Sequence, residues 1–392
     1  MRRILKFFGY GLLLLLIVLA GVVASDFTFW KRLVTAPVSD MATAVDWYEP
    51  LETVPGSTGA QWQSGAGRAL NAATEAALID YGTKTGSVAL VVWHDGKLIL
   101  EKYWPGYTKE SVTDPASMHK TVNAMLVGIA IERGIIPSVD AKAALWLTEW
   151  RGDARAEITV EHLLQMASGL ALVPFDPNPF GKYFRTLLGT DLIPVYLEIP
   201  AEKPAGSEFA YNNVNAQALG ILLQRAAGTR YAQLLSDALW SKLGVGDAYL
   251  WLDREGGMPR TFCCLQTTAR AWVQVGRLFV ERGQLEGRQI VPAAWIDAML
   301  QPSAGNPNYG YQTWLGTEYV QERAYNRTVS VTAHHSEPFV ADDVVFLDGF
   351  GGQRVYVIPS RQLIVVRTGA PQLDWDDARL PNLILRDPLF ED

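Results

Sequence analysis

The chain has 392 residues, of which 49% are apolar and 19% charged, and its formal net charge is −7. This length allows one large domain or two ordinary ones, and the composition excludes a disordered chain. The negative charge argues against general binding to nucleic acid, so no nucleic-acid partner is expected.

The first predicted element is an apolar stretch near the N-terminus. Three basic residues precede it, and no charged residue lies between Lys6 and Asp26. A helix of about 17–25 apolar residues spans a bilayer, and the aromatic residues Phe27, Phe29 and Trp30 that follow are typical of a membrane interface. The pattern therefore predicts a membrane partner for the N-terminal helix.

We predict a transmembrane anchor within residues 1–33, with a single pass through the inner (cytoplasmic) membrane and the rest of the chain facing the periplasm. A cleaved signal peptide is the alternative, because Ala24 follows the apolar run at a position that suits cleavage. Both interpretations export the remaining residues. Residues 34–65, rich in Pro, Gly and Ser, are predicted to form a tether and wrapping segment, and residues 66–392 the main domain.

The main domain begins with strands and returns to them at its end. The sequence SVALVVWHDGKLILEKYW predicts a β-hairpin, because two β-rich runs flank the turn Asp95-Gly96. Residues from about 140 to 300 have mainly helical periodicity. Three β-rich runs, DVVFLDG, QRVYVIP and QLIVVRTG, follow. We therefore predict an α+β fold: one antiparallel sheet shared by the terminal strands, flanked by helices, with an inserted, mainly helical subdomain.

The two cysteines, Cys263 and Cys264, are adjacent. Neighbouring cysteines rarely bridge without strain, and two thiols alone do not make a zinc site. We interpret them as small core residues. Neither a metal nor another cofactor is predicted from the sequence.

A serine and a lysine three residues apart, Ser117 and Lys120, lie in the stretch DPASMHKTVNAM. On a helix they would share one face, one turn apart. Asp114 suits the helix cap and Pro115 the first turn, which leaves the Ser117 amide free at the positive end of the helix dipole. A buried lysine of lowered pKa can take the serine proton, although this spacing alone is common by chance.

Two further elements accompany this pair. Tyr211 and Asn213 stand before a predicted helix, where a phenol can relay a proton and an amide can orient the lysine or a substrate carbonyl. A buried tyrosine and a helix cap are the structural alternative. Glycines 349, 351 and 352 lie on a predicted strand, which is costly unless a backbone or ligand comes close or the strand is bulged.

Together these elements resemble the serine hydrolases related to penicillin-binding proteins and class C β-lactamases. The resemblance is closer to the family VIII esterases and the 6-aminohexanoate-dimer hydrolases. It extends through the stretches ITVEHLLQMASGL, PAGSEFAYNN, ARAWVQVGRLFVERGQLEGRQIVPAAWI and GGQRVYVIPSRQLIVV. It implies a β-lactamase/transpeptidase-like fold and hydrolysis of small amides or esters through an acyl-enzyme.

The resemblance implies a role for each candidate residue. Ser117 is the nucleophile, Lys120 or Tyr211 is the general base, and Asn213 supports Lys120 and the substrate. The amides of Ser117 and Phe350 form the oxyanion hole. The substrate-binding residues implied by the same strand are Gly351, Gly352 and Gln353, and the Gly-Gly-Gln stretch favours linear amides.

One departure from the family bears on the substrate. β-Lactamases carry Lys-Thr-Gly on the third strand, where this chain has Leu347-Asp348-Gly349. An anionic β-lactam should therefore bind weakly or not at all. A D-Ala-D-Ala carboxypeptidase or penicillin-binding-type protein remains an alternative, with Arg354 or Arg367 as the cation for the terminal carboxylate. A receptor that is acylated without turnover is another alternative, and a purely structural scaffold is a third.

Overall fold

The computed structural model describes residues 2–64, 69–316, 318–329 and 332–390. The predicted boundary between wrapping segment and main domain, at residues 65 and 66, lies outside these ranges. The α-helices of the described residues are α1 (Arg2–Ser25), α2 (Phe27–Thr35), α3 (Ala72–Lys84), α4 (His119–Glu132), α5 (Val160–Leu164), α6 (Lys182–Leu188), α7 (Leu192–Leu197), α8 (Asn213–Ala227), α9 (Tyr231–Ala238), α10 (Ala269–Val280), α11 (Ala293–Met299) and α12 (Arg379–Leu385).

The strands of the same ranges are short, and most belong to two sheets. They are β1 (Leu51–Val54), β2 (Gln63–Ser64), β3 (Ser87–His94), β4 (Lys97–Tyr103), β5 (Val112–Thr113), β6 (Ala248–Trp251), β7 (Leu265–Thr268), β8 (Gln284–Leu285), β9 (Arg288–Gln289), β10 (Trp314–Leu315), β11 (Glu322–Ala324), β12 (Thr332–His334), β13 (Val345–Gly349), β14 (Gln353–Ile358) and β15 (Leu363–Gly369).

The central sheet joins strands from both ends of the main domain. Its order is β10-β13-β14-β15-β3-β4-β2, and neighbours are antiparallel except β2 and β4. Val366 of β15 lies opposite Val91 of β3. The β3–β4 hairpin turns at Asp95 and Gly96, whose φ angles of 45° and 84° suit a two-residue turn. The predicted α+β fold with a shared antiparallel sheet is therefore confirmed.

Strand β3 is buried along its whole length because helices cover both faces of the sheet. Side chains on a strand alternate between faces. Ala89, Val91 and Trp93 pack in the core that includes α10, whereas Leu90 and Val92 pack in a second core with α3 and α12. This explains why the strand reads as a continuous apolar run rather than an alternating one.

The inserted region is built around α8, which is buried from Val214 to Leu223 and packs against α4, α5, α7 and α9. The same region contributes β6 and β7 to a smaller sheet of order β1-β6-β7-β5. Helical periodicity did not predict these strands, because each has only four residues. The α4–α8 contact brings the start of both helices to one end of the central sheet, where the candidate site lies.

Two N-terminal helices meet at a sharp bend. In the described ranges, no single helix has the length and hydropathy of a membrane span, but Gly9–Ser25 and Phe27–Thr35 satisfy both criteria together across a bend of 95°. The predicted boundary at residue 33 falls inside α2, whose Phe29 and Arg32 are buried. Since β1 also pairs with β6, the segment that precedes the main domain packs onto it.

Candidate active site

The candidate nucleophile lies where the chain enters α4. A short 3-10 helix, Ala116–Met118, precedes α4, and Ala116 adopts a left-handed φ of 50°. The Asp114 Oδ1 atom accepts a hydrogen bond from the Ala116 amide at 2.7 Å. The cap position itself belongs to Pro115 for the 3-10 helix and to Met118 for α4, so the predicted cap at Asp114 is wrong. Burial raises the pKa of this carboxyl to about 7. Ser117 is held in the first turn and remains partly exposed.

Lys120 is fully enclosed beneath Ser117. Its Nζ atom donates hydrogen bonds to Ser117 Oγ at 2.7 Å and to the carbonyl oxygen of Phe262 at 2.7 Å. Burial lowers the pKa of Lys120 to about 7, and the negative charge of Asp348 opposes that shift. A lysine that loses its proton near neutrality can act as a base toward the hydroxyl it contacts.

The phenol of Tyr211 completes the group. Burial raises its pKa, and a hydrogen bond with the Ser117 side chain opposes the shift. Lys120 Nζ lies 4.9 Å from the centroid of the Tyr211 ring. The structure therefore brings together the three residues for which catalysis was predicted. Three aromatic rings hold the tyrosine in place: Tyr309, Trp314 and Tyr325.

Asn213 does not occupy the predicted supporting position. The two hydrogen bonds of Lys120 go to Ser117 and Phe262, and the Asn213 side chain makes none with the described residues. Its neighbour Asn212 is the cap of α8 and also donates to the carbonyls of Leu170 and Ala171. The structure shows no hydrogen bond between Asn213 and Lys120, and a role of Asn213 toward the substrate stays a prediction.

The glycine-rich strand approaches the nucleophile through its backbone. A Cβ atom on Gly349 would lie 2.1 Å from the carbonyl oxygen of Pro115, so only glycine allows β13 to reach the 3-10 helix of Ser117. Phe350 follows at the turn with a half-exposed ring. This proximity is compatible with the oxyanion role expected for the Phe350 amide.

Of the other predicted substrate-binding residues, Gly352 and Gln353 are buried and Gly351 is partly exposed. The Gln353 side chain is buried, and its amide group pairs with both the N–H and the carbonyl of Gly369. Added Cβ atoms on Gly351 and Gly352 would collide with Pro371 and Trp375 respectively. These residues therefore fix the turn between β13 and β14, and the substrate-binding prediction for Gln353 is wrong.

A buried network of charges lies behind the strand, and the sequence did not predict it. Asp348 accepts hydrogen bonds from Arg323 and Tyr325 at 2.8 and 2.7 Å and forms an ion pair with Arg354 at 2.7 Å. Asp377 pairs with both arginines. Arg323 and Arg354 come from separated segments of the chain. Only the fold therefore shows that the charge of Asp348 is balanced by buried arginines and does not face a substrate.

The carbonyl that holds Lys120 belongs to an unusual loop. Cys263 and Cys264 form a disulfide bond, so their interpretation as free core thiols is wrong. His119, which is fully buried, contacts the Cys263 carbonyl at 2.7 Å and the Tyr231 hydroxyl at 2.9 Å through its two ring nitrogens. Adjacent residues of α4 are thus fixed by adjacent carbonyls of this loop. Within the described ranges, no group of three His, Cys, Asp or Glu side chains could hold a metal ion.

Comparison with known proteins identifies the family. A family model described as beta-lactamase matches residues 74–370. The chain belongs to the beta-lactamase family. It shares 24% identity over 306 residues with the 6-aminohexanoate-dimer hydrolase of Paenarthrobacter ureafaciens, covering 75% of this chain and 74% of that relative.

Solved structures share the fold of this chain. A putative 6-aminohexanoate-dimer hydrolase from Bacillus anthracis has a TM-score of 0.69 at 18% identity, covering 88% of this chain and 92% of the other. A family VIII carboxylesterase has a TM-score of 0.61 at 15% identity, covering 86% and 99% respectively. The chain is therefore a beta-lactamase-fold protein of a family of hydrolases that includes amidases and esterases.

Proposed function

We propose that this protein is a serine hydrolase that cleaves small amides or esters through an acyl-enzyme on Ser117. The observation that carries the proposal is the 2.7 Å hydrogen bond between Ser117 Oγ and a buried Lys120 whose pKa is lowered to about 7. A serine hydroxyl is a weak nucleophile until a neighbour accepts its proton. The surrounding residues supply that neighbour and leave the hydroxyl accessible.

The reaction then follows from the positions of the three side chains. Neutral Lys120 accepts the Ser117 proton as Oγ attacks the substrate carbonyl, and the amides of Ser117 and Phe350 stabilise the resulting oxyanion. Lys120 then returns this proton through Tyr211 to the leaving alcohol or amine as the bond to it breaks, which leaves the acyl group on Ser117. Water attacks the acyl-enzyme and gives one proton to Lys120 by way of Tyr211. Lys120 protonates Ser117 Oγ as the product acid leaves, which restores the free enzyme.

The burial of two arginines argues against substrates that must be held by a terminal carboxylate. Arg354 and Arg367, the cations considered for a terminal carboxylate, are buried and bonded to the protein itself. Arg354 pairs with Asp348 and Asp377, and Arg367 donates to backbone carbonyls around the glycine turn. This argues against a D-Ala-D-Ala carboxypeptidase and against efficient β-lactam hydrolysis. With Gln353 buried, the earlier preference for linear amides over esters loses its support.

The same proposal includes attachment to a membrane. Exposed leucines occupy consecutive positions from Leu12 to Leu16 of α1, a pattern that water does not favour on an isolated helix. We expect α1 to anchor the protein in the inner membrane with the hydrolase domain on the periplasmic side. A disulfide in the main domain agrees with an oxidising compartment.

A substrate panel tests the catalytic assignment. Esters of p-nitrophenol, short amides and a chromogenic cephalosporin are offered to the wild-type protein and to Ser117→Ala, with Ser360→Ala as a surface control. We expect ester or amide turnover and a transient acyl adduct on Ser117 by intact mass in the wild type and control, and neither in Ser117→Ala. Retained turnover in Ser117→Ala would refute the proposal, and a stable adduct without turnover would favour the receptor alternative.

A further inference from the structure

An aromatic surface surrounds the junction of α1 and α2. Three phenylalanines there are largely exposed: Phe27 (65%), Phe175 (68%) and Phe180 (59%). The Phe180 ring packs edge-on against Trp30 of α2, with their centroids 5.3 Å apart. Phe175 packs in the same manner on Tyr183, with a separation of 5.1 Å. We call these five residues the junction patch.

The patch is fixed to the anchor helix rather than loosely placed beside it. Asp26, between α1 and α2, caps α2 and accepts hydrogen bonds from Thr190 at 3.0 Å and Arg185 at 3.2 Å. Arg185 also covers the buried ring of Phe29 at 4.5 Å. The segment that carries Phe175 and Phe180 therefore keeps one position relative to the end of α1.

The geometry selects a lipid surface as the partner. If α1 crosses a bilayer, the bend of 95° lays α2 along the membrane plane, at the depth where α1 leaves it. Phe27 and Trp30 of α2 lie at that depth, together with Phe180, whose ring packs on Trp30. Helix α6, which carries Tyr183 and through it Phe175, packs against α2 and is bonded to Asp26 through Arg185. Lys31 and Lys182 are exposed beside them. Aromatic rings next to lysines are the residues that proteins place among lipid headgroups.

We propose that the junction patch docks in the headgroup region of the bilayer and holds the hydrolase domain against the membrane surface. The inference rests on the membrane attachment in the proposed function. The proposal also concerns substrate access. The segment that bears Phe175 starts at Ala171, and the Ala171 carbonyl accepts a hydrogen bond from the side chain of Asn212, the residue after Tyr211. The active site is then held next to amphiphilic amides or esters in the outer leaflet.

Photo-crosslinking tests the proposal on the full chain. Benzoylphenylalanine is introduced singly at Phe175, Phe180 and Leu15, and at the exposed Leu145 and Leu373 as controls on other elements. Each protein is placed in nanodiscs of phosphatidylethanolamine and phosphatidylglycerol, irradiated and analysed by mass spectrometry. Since burying one such ring shifts partitioning by about tenfold or more, we expect roughly tenfold more lipid adduct at 175 and 180 than at 145 and 373.

Each other outcome overturns the proposal. Lipid adducts at Leu15, with residues 175 and 180 at the level of the controls, would retain the anchor and reject the docked patch. Absence of adducts at Leu15 would reject both. Crosslinks from 175 or 180 to a second copy of the chain would show a protein interface instead. The same experiment in a Ser117→Ala background should give unchanged adducts, which separates this result from the test of hydrolysis.

Discussion

The Nζ atom of Lys120 lies within hydrogen-bond distance of two oxygen atoms, the hydroxyl of Ser117 and the carbonyl of Phe262, each 2.7 Å away. Both contacts are donations from the amine, as a charged lysine makes them, and that form has no lone pair to accept the hydroxyl proton. In the neutral form one N–H still donates to the carbonyl, while the nitrogen lone pair can accept the proton of Ser117 across the same distance. Catalysis should therefore depend on which form is present.

The first prediction concerns pH. Since burial lowers the pKa of Lys120 to about 7, the neutral form dominates above that pH and is lost below it. The kcat/KM for an uncharged ester should be level in alkaline solution and fall about tenfold per pH unit below the inflection. Stopped-assay rates in buffers of constant ionic strength measure the profile.

The variant Lys120→Arg, which keeps its positive charge, is the control for this pH profile. Lys120→Arg stays protonated at every accessible pH, so its rate should be lower by about 10²–10⁴-fold and show no inflection near neutrality. A wild-type profile that is level through neutrality would contradict the role of Lys120 as the base.

The second prediction concerns the disulfide. Cys263 and Cys264 follow the carbonyl of Phe262 directly, and the Cys263 carbonyl contacts His119. Opening the bond should loosen both carbonyls, so a Cys263→Ser/Cys264→Ser double variant should lose kcat several-fold with little change in KM. Maleimide labelling of the denatured, unreduced wild type should add no mass, and two labels appearing without reductant would show that the disulfide is absent.

The sequence was sufficient for five strands of the central sheet, β3, β4, β13, β14 and β15, and for the proximity of Ser117 and Lys120, for physical reasons. Strands β13, β14 and β15 are β-rich runs bounded by turn residues, and their local signals agree with the fold. Ser117 and Lys120 are three residues apart on one helical segment, so their contact is decided locally. Tyr211 was a candidate from its position before a predicted helix, with a buried tyrosine as the alternative, and the resemblance gave it a role. Its contact with Ser117 depends on the α4–α8 packing.

Contacts between segments that are distant in the chain could not be predicted from the sequence in the same way. Gln353 pairs with Gly369 across the sheet, and Asp348 meets Arg323 from a segment with no strong periodicity. The disulfide was missed because adjacent cysteines seldom bridge, and only the left-handed φ of 70° at Cys264 reveals the local backbone that accompanies it. For Gln353 and Asp348, the sequence showed the residue but not its partner.

The third prediction compares two reasons why a position requires glycine: a positive φ angle alone, and a positive φ angle together with a lack of space for a Cβ atom. Gly352 has a φ of 80°, and a Cβ there would lie 2.5 Å from Trp375, whereas Gly106 has a φ of 90° with open space around it. Gly106→Ala should lose about 1 kcal/mol of unfolding free energy, from backbone strain alone. Gly352→Ala should lose several kcal/mol, because strain and overpacking add. Urea unfolding measures both, and equal losses would contradict the packing argument.

The fourth prediction concerns the junction between α2 and the main domain. The Arg32 guanidinium is buried and donates to five backbone carbonyls, those of Leu188, Gly189, Asp253, Glu49 and Leu252. Trp251 is covered by Arg32 at 5.1 Å and by Arg260 at 3.6 Å. Arg260 precedes Phe262 by two residues, so α2 supports the loop that holds Lys120.

Arg32→Ala should therefore lower the unfolding free energy by about 3 kcal/mol, because several buried carbonyls lose their donor at once. The adjacent Lys31 is the matched control: it is exposed and forms only a 3.6 Å ion pair with Glu49, so Lys31→Ala should change stability by about 0.5 kcal/mol or less. Thermal unfolding of the full chain in one detergent compares the two. Equal melting temperatures for both variants would mean that α2 is merely a tether and that the domain begins after it.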